Sequence, residues 1–163
     1  SPDNMQCLDE LSSAFHLADQ RTYDQDPRFG LVVLCEIACR ALSPAVNDPG
    51  TAIDVVGTVT RLFHLWARAR QASTAEPLHD RIFAPDLREQ DLFDDAFNGL
   101  ARDGAGLVEV SIRLQKAFQA ISGFGDNDLR EASIEHSQRA LARNELSMTL
   151  PQDIEAVRNV ARF

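Results

Sequence analysis

Apolar residues recur along this chain at a spacing close to 3.6, and alternating β-branched runs are scarce, so the pattern predicts helices almost throughout. A first amphipathic segment, about residues 3 to 19, carries Met5, Leu8, Leu11 and Phe15 on one stripe. A second opens at Asp26-Pro27, an N-cap followed by the residue best tolerated at the first helical position, and runs through Leu31, Leu34, Ile37 and Leu42 to Ser43-Pro44. Apart from Glu36 and Arg40 it is apolar nearly all round, which predicts the central and most buried helix. A third repeats the start signal at Asp48-Pro49 and continues to about Arg70, with Ile53, Val56, Val59, Phe63 and Trp66 inward. Residues 71 to 90 break the pattern. Pro77 and Pro85 surround Leu78, Ile82 and Phe83, which reads as a short extended excursion near 75–88. Further helices are expected near 89–102, 105–122, 127–145 and 151–162, separated by Gly104, Gly123, Gly125 and Pro151.

The expectation is an all-α fold: a single compact domain over residues 1–163, with six to seven helices around a central antiparallel hairpin. Only Pro44 to Asn47 join the hairpin's two long helices, and short connections favour antiparallel neighbours. Arg40 precedes that turn, Asp54 follows it, and Glu36 lies one helical turn before Arg40. This predicts a structural ion network in which Arg40 is shared between Glu36 and Asp54, worth about 3–5 kcal/mol if buried.

Composition narrows the function classes. With 16 basic against 25 acidic residues the formal charge is −9, which removes the counterion-release drive for nucleic-acid binding, and no cluster of basic residues along the sequence restores it. Nucleic acid is therefore excluded as an expected partner. Three cysteines, Cys7, Cys35 and Cys39, are an odd number without a CxxC, which argues against a disulfide framework or a thiolate zinc site and for a reducing compartment. Cys35 and Cys39 read as small buried hydrophobes. No run of 18 apolar residues is present, and the chain opens without the basic-then-apolar pattern of a signal peptide. His16, His64, His79 and His136 never fall into HxxH or HExxH spacing, so no metal is expected. P-loop, GxGxxG and G-x-S-x-G motifs are also missing, so no cofactor is expected. His79-Asp80 has the form of a metal phosphohydrolase dyad but stands without further ligands at helical spacing.

The most distinctive stretches are Arg21-Thr22-Tyr23-Asp24-Gln25-Asp26-Pro27-Arg28-Phe29-Gly30 and Ala41-Leu42-Ser43-Pro44-Ala45-Val46-Asn47-Asp48-Pro49-Gly50-Thr51-Ala52. The pair resembles the C-terminal region of a bacterial family of multi-pass membrane proteins, the domain of unknown function 2254, in which an RT..QDP.FG stretch leads into a helix ending ALSP and then NDP.TA. Val32 and Val33 stand where the family more often has polar residues, and Gly50 where Thr is common. The resemblance implies transmembrane helices upstream, with this chain as the soluble C-terminal part. Together with the unpaired cysteines, it predicts an inner-membrane protein carrying this domain on its cytoplasmic side. It brings no activity with it.

Each Asp-Pro motif has two readings. In one, a helix N-terminus with free N–H groups and partial positive charge joins Arg21, Gln25 and Asp26, or Ser43, Asn47, Asp48 and Thr51, to bind an anionic ligand or partner. In the other, each Asp simply caps its helix. The helix between them is about 25 Å long, so the two clusters do not meet on one small ligand within a chain.

Two function classes follow. One is a sensory or interaction domain without catalysis. The other is a hydrolase of unknown substrate built on Asp, His and Arg residues. The first is favoured because no nucleophile–base pair or metal set is visible. Leu62, Phe63, Leu65 and Trp66 make an apolar face wider than one core requires, which predicts a homodimer.

Overall fold

The computed structural model describes residues 12, 19, 21–24, 26–72 and 87–162, and Asp26 caps the first helix whose bounds lie within them. Its carboxylate accepts the N–H groups of Arg28 and Phe29, Pro27 takes the first helical position, and α1 runs Pro27–Ala41. The others are α2 (Pro49–Ala72), α3 (Glu89–Asp103), α4 (Val108–Phe124), α5 (Asn127–Ser147) and α6 (Pro151–Val160). No strand occurs among the described residues, and the fold is all-α, with helix bounds within a few residues of those the periodicity predicts. The expected segment 3–19, apart from Ser12 and Asp19, and most of the excursion near 75–88 lie outside the described residues.

Helix α1 packs on α2 and α3, while α4 lies against α2, α5 and α6, and α5 closes on α3. Phe93 and Phe97 of α3 and Phe118 and Ile121 of α4 are fully buried. Ring centroids are 4.7 Å apart for Phe63 and Phe93 and 5.0 Å for Phe97 and Phe118. Each such ring contributes about 1.5–3 kcal/mol by burial alone, and Phe63 carries α2 onto this layer through Phe93 and Phe97 of α3.

The sequence pattern places α1 at the centre, and the structure puts α4 and α3 there instead. Only Leu31, Cys35, Ala38 and Ala41 of α1 are buried, Val32, Val33 and Leu34 are half-buried, and Ile37 is 44% exposed. The cause is close helix packing. Gly99 of α3 faces the two thiols, and a Cβ there would stand 2.9 Å from Cys39 Sγ and 3.1 Å from Cys35 Sγ. Helix α1 therefore turns its small residues to α3 and leaves bulkier ones outward, a choice that hydrophobicity alone does not reveal.

Arg40 also departs from expectation. No ion pair joins it to Glu36 or Asp54, and all three residues are exposed. Lying on the outward sides of α1 (Glu36 and Arg40) and α2 (Asp54), they keep their hydration, and the predicted network does not form.

Candidate functional site

The first Asp-Pro motif folds into a local clasp. Arg21 Nε donates to Asp26 Oδ2 at 2.7 Å, and its guanidinium lies 5.2 Å over the Phe29 ring, which Tyr23 stacks at 5.0 Å. Asp26 Oδ1 accepts Arg28 N at 3.0 Å and Phe29 N at 3.2 Å. The Arg21 guanidinium, aided by these N–H donors, holds the Asp26 carboxyl below its ordinary range. Arg28 then leaves the clasp and reaches α3, with Nε 2.6 Å from Asp95 Oδ2 and Nη1 3.4 Å from Asp91 Oδ2. Gln25 lies outside the described residues.

The second motif closes the turn between α1 and α2. Ser43 Oγ donates to Arg40 O at 2.7 Å, Asn47 N to Ser43 O at 2.8 Å, and Asp48 N to Ala41 O at 2.8 Å. Asn47 takes a φ of 49°, a left-handed conformation that Asn tolerates better than most residues, and this reverses the chain into α2. Asp48 Oδ1 accepts Thr51 N at 3.1 Å, and Thr51 Oγ1 donates to Asp48 Oδ2 at 2.6 Å. These bonds to Thr51 lower the Asp48 pKa. ALSP followed by NDP.TA thus encodes a helix end, a left-handed reversal and a helix start.

The structure brings Arg21 together with Asp26, and separately Ser43, Asn47, Asp48 and Thr51. The two groups stand at opposite ends of the 15-residue α1, about 22 Å apart along its axis, as the sequence predicts. In each, the N–H groups nearest the carboxylate are already accepted by the capping Asp. His79 and Asp80 lie outside the described residues.

Sequence reasoning missed the partners that lie far apart in the chain. His136 of α5 is buried beside Phe93, with Nε2 3.6 Å from Asp94 Oδ1. Burial, aided by the positive charge of Arg139, lowers its pKa to about 4, so the imidazole is neutral at pH 7. Gln115 Nε2 donates to Ser137 O at 3.1 Å while Ser137 Oγ donates to Gln115 Oε1 at 2.6 Å, pairing α4 with α5. Asn144 Nδ2 donates to Ala105 O at 2.9 Å and Ser111 Oγ at 2.7 Å, which fastens α5 to the α3–α4 turn. None of these residues carries a motif.

One carboxylate cluster among the described residues has metal-like spacing: Glu89, Asp126 and Asp128. Arg70 pairs with Glu89 and lies 3.7 Å from Asp126, so a guanidinium already supplies the positive charge there. An apolar cavity of about 200 Å³ opens beside α1, lined by Pro27, Leu31, Leu62, Phe63, Trp66, Leu87 and Leu92. Leu62 and Leu65 of α2 are 42% and 60% exposed nearby.

A helical bundle in which two successive helices start at Asp-Pro caps is the part of a membrane-protein family that this chain represents. The chain matches the family model "Predicted membrane protein (DUF2254)" over residues 1–120 and belongs to that family. It is similar to "Uncharacterized protein Rv1290c" of Mycobacterium tuberculosis and "Uncharacterized protein Mb1321c" of Mycobacterium bovis, each 61% identical over 41 residues. The matched stretch covers 25% of this chain and 8% of each relative. No solved structure matches the chain. Among the described residues, no helix is long and apolar enough to cross a membrane.

Proposed function

We propose that this domain is a non-catalytic sensory and interaction module of its membrane protein, held on the cytoplasmic side and working by pairing with a second copy through α2. The observation that carries this reading is the apolar cavity lined by Leu62, Phe63 and Trp66, with Leu65 exposed on the same helix. A two-fold contact uses one such patch on each copy, so a single face of α2 is enough to build it. Anion binding at the Asp-Pro helix ends is set aside in this reading, because Asp26 and Asp48 already accept the N–H groups that a ligand would need.

Sedimentation equilibrium tests it. The chain is expected to dimerise reversibly in the micromolar range, and Leu62→Glu with Leu65→Glu is expected to leave only monomer. A wild-type chain that stays monomeric at tens of micromolar rejects pairing through α2. Stoichiometric metal in the purified protein moves the assignment to hydrolysis.

A further inference from the structure

Arg61 of α2 and Arg113 and Lys116 of α4 line one cavity of about 240 Å³, together with Gly57, Thr60, Ala117 and Ala120. No acidic residue among the described ones lines it. Elsewhere in the described residues Arg21, Arg28, Arg70, Arg102, Arg139 and Arg158 each pair with a carboxylate, while Arg40, Arg68, Arg88, Arg130, Arg143 and Arg162 do not, so what sets this cleft apart is the convergence of three cations on one cavity. The three cations of this cleft have none within ion-pair distance, and Asp54 and Glu109, the acids on the same two helices, make no pair with them. The one polar contact is Arg61 Nη2 donating to Thr58 Oγ1 at 2.8 Å. In a chain of net charge −9, three cations from two helices thus converge on one cleft without an ion-pair partner.

Gly57 explains how they converge. It is buried in the middle of the 24-residue α2, where glycine is less favourable than alanine. A Cβ at this position would stand 3.0 Å from Arg113 Nη2 and 3.6 Å from Arg61 Nη1. Bare backbone here lets two guanidinium groups from different helices meet over α2, with Ala117 and Ala120 keeping the floor low. Planar guanidinium forks match the oxygens of a phosphate group, and the lysine adds a movable point charge.

The neighbouring cavity shares Thr60 and Arg61 and continues over His64, Leu65 and Phe124. Its wall is apolar, with the Phe124 ring edge-on to His64 at 4.8 Å. A charged cleft that runs directly into an apolar wall suits a phosphate ester with an apolar substituent.

We infer that the Gly57 cleft between α2 and α4 is an anion site for a phosphate group, gripped by Arg61, Arg113 and Lys116, with any ester substituent lying along His64 and Phe124. A phospholipid headgroup and a free phosphate compound share this chemistry, and two arms of one experiment tell them apart. In the first, amide chemical shifts of the chain are followed during titration with sodium phosphate against sodium chloride at matched ionic strength. In the second, flotation compares vesicles of phosphatidylcholine alone with vesicles that also contain phosphatidylglycerol.

Saturable shifts specific to phosphate at Gly57, Thr60 and Ala117 identify a free phosphate source, and preference for the phosphatidylglycerol vesicles identifies a lipid source. Either response is expected to weaken about tenfold in Arg113→Gln and again in Lys116→Gln. Gly57→Ala is expected to weaken it less than either while keeping the helix intact, because the new methyl makes the flexible Arg113 guanidinium give way only slightly. No response above the chloride and phosphatidylcholine controls overturns the inference. So does a response that Arg113→Gln, Lys116→Gln and Gly57→Ala all leave unchanged.

Discussion

The α1–α2 hairpin and the α4–α5 pair handle polar groups in opposite ways. In the hairpin they sit at the surface and close over short range: Asp26 on Arg28 and Phe29, Asp48 on Thr51, Ser43 on Arg40. Between α4 and α5 they are buried and close across 22 residues for Gln115 and Ser137, and across 33 for Asn144 and Ser111. Local closure is encoded by neighbours in the chain and leaves a motif. Distant closure depends on tertiary packing and leaves only ordinary Gln, Ser, Asn and His residues at helical spacing. The most recognisable residues of this protein are therefore expected to be energetically modest, and the least recognisable ones costly to change.

Acid sharpens this contrast most. The folded imidazole of His136 takes a proton only near pH 4, against 6.5 when unfolded, so between these values the unfolded chain binds more protons. Stability from this group is complete above pH 6.5 and falls by about 3 kcal/mol as pH drops to 4. Urea midpoints measured across that window are expected to show the slope, and His136→Phe to flatten it. The capping carboxylates act lower on the scale. Asp26 and Asp48 have lowered pKa values, so their contribution is present above the ordinary 3.8 and disappears as pH falls below it.

Next in size is Asn144→Ala, which leaves Ala105 O and Ser111 Oγ without their donor in a buried place. A loss of about 2 kcal/mol in chemical denaturation is expected. A change within error would erase the distinction between the two regions. On the hairpin side, Asn47→Ala forces a Cβ-bearing residue without a polar side chain into the left-handed region and is expected to cost about 1 kcal/mol. Asn47→Gly should be neutral or slightly stabilising, so the pair of thermal midpoints isolates the backbone effect. The smallest effect belongs to Arg40→Ala. Exposed and unpaired, Arg40 is expected to change stability by no more than about 0.5 kcal/mol, the reverse of what its place in the sequence suggests.

The same contrast governs how much was legible in the sequence. Asp26-Pro27 and Asp48-Pro49 announce their helices because a cap and its targets lie within three residues of each other. The opposite ends of α1 were legible for a similar reason, since helix length is simple arithmetic. The burial of α1 was not. Its apolar residues leave several faces open, and the choice among them was made by Gly99, nearly 60 residues further along the chain. The Gly57 cleft was hidden in the same way: Arg61 and Arg113 share no local pattern, and the glycine that lets them meet reads in isolation as a weak point in a helix.

The thiols under Gly99 offer a different use of the structure. Burial, with Cys35 and Asp103 beside it, pushes the Cys39 thiol up to about 12, so almost none of it is thiolate at neutral pH. Thiolate is the form that alkylating reagents attack, and Cys35 is shielded by burial as well. In a Cys7→Ser background, slow alkylation at these two positions would therefore track how often α1 lifts away from α3. Followed with time, that labelling is a stopwatch for the opening of a single helical seam, in a protein whose bulk unfolding would otherwise conceal it.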